Sequence, residues 1–107
     1  MLQPMLELAG ESMPGAVYLL AGQTLHRSGK PQNAREMLAT VKTDDPAFVA
    51  ARSLLGRISL ESGDGELALS YFEAAMRQYQ AAPAELMAGR WHALHQLGRD
   101  VEAREVY

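Results

Sequence analysis

Residues 22–38 read GQTLHRSGKPQNAREML and residues 56–72 read GRISLESGDGELALSYF. Laid over one another they place Gly22 on Gly56, Gly29 on Gly63, Ala34 on Ala68 and Leu38 on Phe72, each pair 34 residues apart. The last three echo again 35 residues on, as Gly98, Ala103 and Tyr107. Small residues held at fixed places between apolar ones, at this period, are the mark of a stacked array of helical hairpins. Each hairpin in such an array buries its apolar face against its neighbours.

Helix punctuation follows the repeat. Pro14, Pro46 and Pro83 suit the first turn of a helix, where a missing N–H costs little and φ is already set. From Pro14 to about Ser28, the residues Val17, Tyr18, Ala21, Gly22 and Leu25 form an apolar stripe of helical period. Gly29 stops that helix in the left-handed cap position. Pro31 starts a second helix whose inward face is Ala34, Met37, Leu38 and Val41, ending near Lys42.

The next unit repeats the pattern. Asp44 or Asp45 caps before Pro46, and Phe48, Ala51, Arg52, Leu55, Gly56 and Ser59 take the corresponding face. Gly63 ends that helix, and Asp64 is the N-cap of another with Leu67, Ala68, Tyr71, Phe72, Ala75, Met76 and Tyr79 on its buried stripe. A third unit runs from Pro83 through Met87, Trp91 and Leu94 to Gly98, then from Asp100 into Val101, Ala103, Val106 and Tyr107. The chain therefore divides into units over 14–46, 47–82 and 83–107. Residues 1–12 read as an N-terminal packing helix or the remnant of a preceding repeat, with Leu2, Met5, Leu6 and Ala9 as its apolar positions.

With 107 residues there is material for one domain. The formal net charge is −3 and the ten basic residues are scattered, so nucleic acid is not an expected partner. No cysteine is present, which removes disulfides and thiolate metal sites. No apolar run approaches the roughly 18–20 residues that would span a bilayer, so direct membrane insertion is not expected. The start of the chain lacks the basic region of a signal peptide, which slightly favours the cytoplasm; a periplasmic location would follow if the chain were part of a longer exported one.

The small residues have a steric reason. Gly22 and Gly56 stand where the two helices of a hairpin cross, and Ala34 and Ala68 serve the opposing helix. A larger group at any of the four would overpack the crossing by roughly 1–3 kcal/mol. Trp91 occupies the same register in the third unit, where it either splays that hairpin or projects into open space.

On these residues the chain resembles the tetratricopeptide repeat, a 34-residue unit of two antiparallel helices. The first unit carries it in Tyr18, Ala21, Gly22, Leu25, Gly29, Ala34, Leu38, Val41 and Pro46, and the second in Leu55, Gly56, Gly63, Ala68, Phe72 and Ala75. The resemblance implies an all-α solenoid of antiparallel helix pairs, about six to seven helices in a right-handed superhelical stack. It implies a non-catalytic scaffold or adaptor that holds a peptide or helix segment of a partner in a groove lined by the first helix of each unit.

Carried over unit by unit, that groove is lined by Ala16, Leu19, Gln23 and His26, then Ala50, Ser53, Arg57 and Leu60, then Glu85, Ala88, His92 and His95. The residues expected to bind are Leu19, Gln23, His26, Ser53, Arg57, Leu60, His92 and His95. Leu19 and Leu60 offer apolar anchors and the others hydrogen bonds. One subclass of the family grips the C-terminal carboxylate of chaperones with fixed Lys, Arg and Asn side chains. Here those places hold Leu19, Gln23, Leu54, Glu85 and Gly89, so that clamp is absent.

Other chemistry is thin. His92 and His95 share a helix face and offer two nitrogens to zinc or nickel, but only Glu61 or Asp100 stands where a third ligand is needed, and a polar surface pair is the plainer reading. There is no nucleophile elbow, no phosphate loop and no HExxH, so the chain is not expected to be an enzyme or to carry a cofactor or metal. A self-assembly module pairing terminal edges into homo-oligomers is the alternative function, and a bacterial secretion or export assembly chaperone is a further one.

Overall fold

The computed structural model describes residues 14–98. These form five helices, α1 Gly15–Arg27, α2 Pro31–Ala39, α3 Phe48–Glu61, α4 Gly65–Met76 and α5 Ala84–Gln96, and no strand is found among the described residues. The helices expected within residues 1–12 and after Asp100 fall outside that range.

The turns inside the hairpins are built alike. After α1 the Lys30 N–H donates to the Leu25 carbonyl at 2.9 Å and the Gly29 N–H to that of His26 at 3.1 Å. After α3 the Asp64 N–H reaches the Ser59 carbonyl at 2.8 Å and the Gly63 N–H that of Leu60 at 3.0 Å. This pair of bonds closes the helix end only when the residue between them is left-handed. Gly29 and Gly63 both stand at φ 78°, and Gly98 after α5 at 75°.

Helix starts use other devices. Pro31 lies in the first turn of α2 as expected, and the Asp64 carboxylate accepts the Leu67 N–H at 3.1 Å at the start of α4. Pro14 and Pro83 stand one residue earlier than expected, as extended N-caps of α1 and α5. Pro46 precedes the Ala47 N-cap of α3. No side chain caps α3; Asp45, expected as its cap, instead accepts the Ala47 N–H with one oxygen and the Gly15 N–H with the other, both at 2.8 Å. One carboxylate thus ties the loop before α3 to the first turn of α1, where the helix dipole also favours negative charge. A Cβ on Gly15 would collide with that carboxylate.

α2 ends at Ala39 rather than near Lys42, and the Thr40 hydroxyl just beyond it donates to the Glu36 carbonyl at 2.8 Å. Val41 is still buried, but Met37 is exposed, so the inward face is Ala34, Leu38 and Val41. Tyr79 lies beyond the end of α4 and is likewise exposed.

Packing runs between successive helices and, in addition, between α1 and α3 and between α3 and α5. α2 and α4 do not meet. The first helices of the units therefore form an inner row in mutual contact, with α2 and α4 set apart behind it. Two apolar clusters fill the space. One joins Ala34, Leu38 and Val41 to Phe48, Ala51, Leu54, Leu55 and Ile58, and the other joins Ala68, Leu69, Phe72 and Ala75 to Leu86, Ala93 and Leu94. Arg52 reaches its inward place by laying its guanidinium over the rings of Phe48 and Tyr71, at 4.8 and 5.7 Å from their centroids.

The glycine crossings are as tight as their spacing implies. A Cβ on Gly22 would lie 2.5 Å from the Leu38 side chain, and one on Gly56 2.6 Å from the Phe72 ring. A Cβ on Gly89 would also collide with Phe72, so this ring, 4% exposed, is held between two bare stretches of backbone. The small residue that matters in the third unit is accordingly Gly89. Trp91, two residues on, is partly buried against the second cluster, with its ring stacked on His95 at 5.1 Å; the helix that would complete its hairpin lies outside the described residues.

Gly89 stands 35 residues after Leu54, as Phe72 stands 34 after Leu38. Leu38 and Leu54 belong to one apolar cluster, whereas the larger Phe72 lies against a glycine. Gly89→Leu is therefore expected to lower the unfolding free energy by about 1–3 kcal/mol through overpacking. Adding Phe72→Leu should recover part of it, with a coupling of roughly 0.5–3 kcal/mol between the sites. Urea denaturation of the four members of the cycle checks this, and additive losses would break the pairing.

Candidate binding groove

Among the described residues the inner row leaves one face uncovered, and two adjoining hollows run along it. The first, of about 420 Å³, is lined by Gln23, His26 and Arg27 of α1, by Ala50, Ser53, Leu54 and Arg57 of α3, and by Glu85 of α5. The second, of about 400 Å³, is lined by Ser53, Arg57, Leu60, Phe72, Glu85, Ala88, Gly89 and His92. Ser53, Arg57 and Glu85 border both, so the middle of α3 and the start of α5 form the seam between them.

Local sequence explains this lining. Gln23 and Arg27, Ser53 and Arg57, and Ala88 and His92 are each four apart on a helix, which puts each pair on one face. The adjacent positions Gly22, Gly56 and Ala93, about 100° round each helix, are buried. Buried Leu54 and Gly89 form the wall at the edge of the groove.

Of the residues expected to bind, Gln23, His26, Ser53, Arg57, Leu60 and His92 line these hollows. Leu19 lines neither and packs, partly buried, against the first cluster. His95 lines neither and stacks on Trp91, whose ring also meets His92 edge-on at 5.0 Å. Glu61, considered above as a third ligand for a histidine pair, instead meets His26 at 2.8 Å, joining the ends of α1 and α3. Leu60 doubles as a core residue, leaning on the second cluster.

Arg27 was not among the expected residues. Its signal was present, since it lies one helical turn beyond Gln23 on the groove face. Among the described residues neither Arg27 nor Arg57 has a hydrogen-bond or ion-pair partner, and both side chains are exposed. The first hollow thus holds two guanidinium groups and one carboxylate, Glu85, in a chain whose formal charge is −3.

The groove has no means of fixing a terminal carboxylate at the positions the chaperone-binding subclass uses. Leu54 and Gly89 are in the wall, Leu19 is half in the core, and Glu85 is an acid. An acidic peptide with a free C-terminus is expected to show no submicromolar binding in a calorimetric titration. Tight binding there would mean that other residues rebuild the clamp.

The sequence model of the tetratricopeptide repeat matches residues 25–89, more than half of the chain. No curated protein and no solved structure matches it.

Proposed function

The chain belongs to the tetratricopeptide repeat family, and from that premise we propose that it is a non-catalytic scaffold holding a peptide or helix segment of a partner protein in the groove of α1, α3 and α5. Repeats of this family mediate protein–protein interaction and are typically scaffolds without catalysis. The observation that carries the reading here is the pair of adjoining hollows, bordered by Arg27 and Arg57, whose donors have no partner among the described residues. Donors left in this way are available to a ligand that brings acceptors. A ligand that fills both hollows would bury apolar surface on Leu60 and Ala88 at the same time.

The test must block the groove without touching the core. Leu60 is a poor choice, since it supports the second cluster. Ala50 and Arg57 are exposed and line the hollows, so Ala50→Trp combined with Arg57→Glu fills and recharges the groove while leaving the fold intact. We expect this double variant to lose the proteins that the wild-type chain captures from its native source, with an unchanged circular dichroism spectrum and melting curve. Retention of the same proteins would place binding elsewhere.

A second reading, self-association, has its own observation. Val17 and Leu20, one turn apart on α1, are 44% and 60% exposed. If two copies pair these faces, sedimentation velocity should show a concentration-dependent increase in mass that Leu20→Asp removes. A single species at every concentration excludes it.

A further inference from the structure

Resting on the groove reading, we propose that the segment this groove takes is singly acidic: one Asp or Glu side chain seated in the first hollow between Arg27 and Arg57, with an apolar side chain of the same segment in the second. Three observations converge on this chemistry. Two guanidiniums line the first hollow and lack partners among the described residues, and a planar donor fork matches a carboxylate better than any other common side chain. Glu85 borders the same hollow and offsets one of the two charges, leaving a balance of one positive charge. That balance suits one carboxylate and not a run of them.

The second hollow differs in kind. Leu60, Ala88, Gly89 and the edge of Phe72 contribute apolar surface there, with His92 at its border. An apolar side chain placed on this surface is removed from water, while a second acid would face Glu85 at the seam. The groove therefore selects for an acid followed or preceded by an apolar residue, and against neighbouring acids. Terminal carboxylates flanked by acidic side chains are disfavoured for the same reason, which separates this mode from the chaperone clamp.

Selection of a random dodecamer display library on the immobilised chain tests the proposal. Selected peptides are expected to carry one Asp or Glu close to an apolar residue. For a synthetic representative, Asp→Asn in the peptide should weaken binding about tenfold, as should Arg57→Gln or Arg27→Gln in the protein. The peptide and protein changes should not multiply when combined, because they remove the same contact. Glu85→Gln should strengthen binding severalfold. Arg27, Arg57 and Glu85 are all exposed, so these exchanges leave the fold in place, as circular dichroism will verify.

Selected peptides without an acid, or with one whose loss costs as much in Arg57→Gln and Arg27→Gln as in the wild type, overturn the acidic-segment inference. The groove reading survives that result if Ala50→Trp still abolishes binding. Peptides indifferent to Ala50→Trp, or a library that yields no binder, overturn both.

Discussion

The structure depends on one close approach: the ring of Phe72 lying between the bare backbones at Gly56 and Gly89. A helix can come this near to another only where the Cβ is missing, and the ring then fills the space from both sides. α3, α4 and α5 are locked through a single side chain. One unit earlier a leucine, Leu38, takes the ring's place against Gly22, in the same apolar cluster as Leu54. The side chain that fills the gap thus differs between the units, a leucine in one and an aromatic ring in the other.

That layer decides where the free surface falls. With Gly22 and Gly56 turned toward α2 and α4, their neighbours Gln23 and Arg57, about 100° round each helix, fall on the groove side. Contacts between α1 and α3 and between α3 and α5 keep those faces in one continuous strip, while α2 and α4 remain apart behind them. The left-handed glycines set the same hairpin geometry at the ends of α1 and α3, so Gln23 and Arg27 arrive beside Ser53 and Arg57. The groove is thus a by-product of close packing on its back. Its floor tolerates many side chains, because few are needed to hold the helices together: Leu60, the wall residues Leu54, Phe72 and Gly89, and His26, whose contact with Glu61 joins α1 to α3.

What could be read from the sequence was whatever sterics enforce twice. Gly29 and Gly63 are required by a backbone angle and Gly22 and Gly56 by a crossing, and each pair leaves its trace at a fixed interval; Asp64 answers an orphan N–H in one unit, with Lys30 at the corresponding place in the other. In the third unit the small residue packed against Phe72 is Gly89, 35 residues after Leu54 and out of register with Gly56, so simple superposition of the units does not reveal it. Asp45 is legible as a polar residue ahead of α3, but not its bonds to the Ala47 and Gly15 N–H groups, the second of which depends on a contact 30 residues distant. Six of the eight expected binding residues line the hollows because helical periodicity alone places them. Leu19 and His95 do not, because each finds a closer neighbour: the first core cluster for one, the Trp91 ring for the other.

Residues on the two sides of an inner helix consequently answer to different constraints. On the back of α3, Leu55, Gly56 and Ser59 have no freedom of size, and even the Ser59 hydroxyl is satisfied internally by the Leu55 carbonyl at 2.9 Å. On the front, Arg57 touches nothing that the fold needs. An exposed guanidinium without a partner costs little and stabilises little, so stability gives no reason for its place beside Arg27 over the same hollow. Charge there can change without loss of the scaffold, and it is on that face, with packing already settled behind it, that a preference for one partner over another can be written.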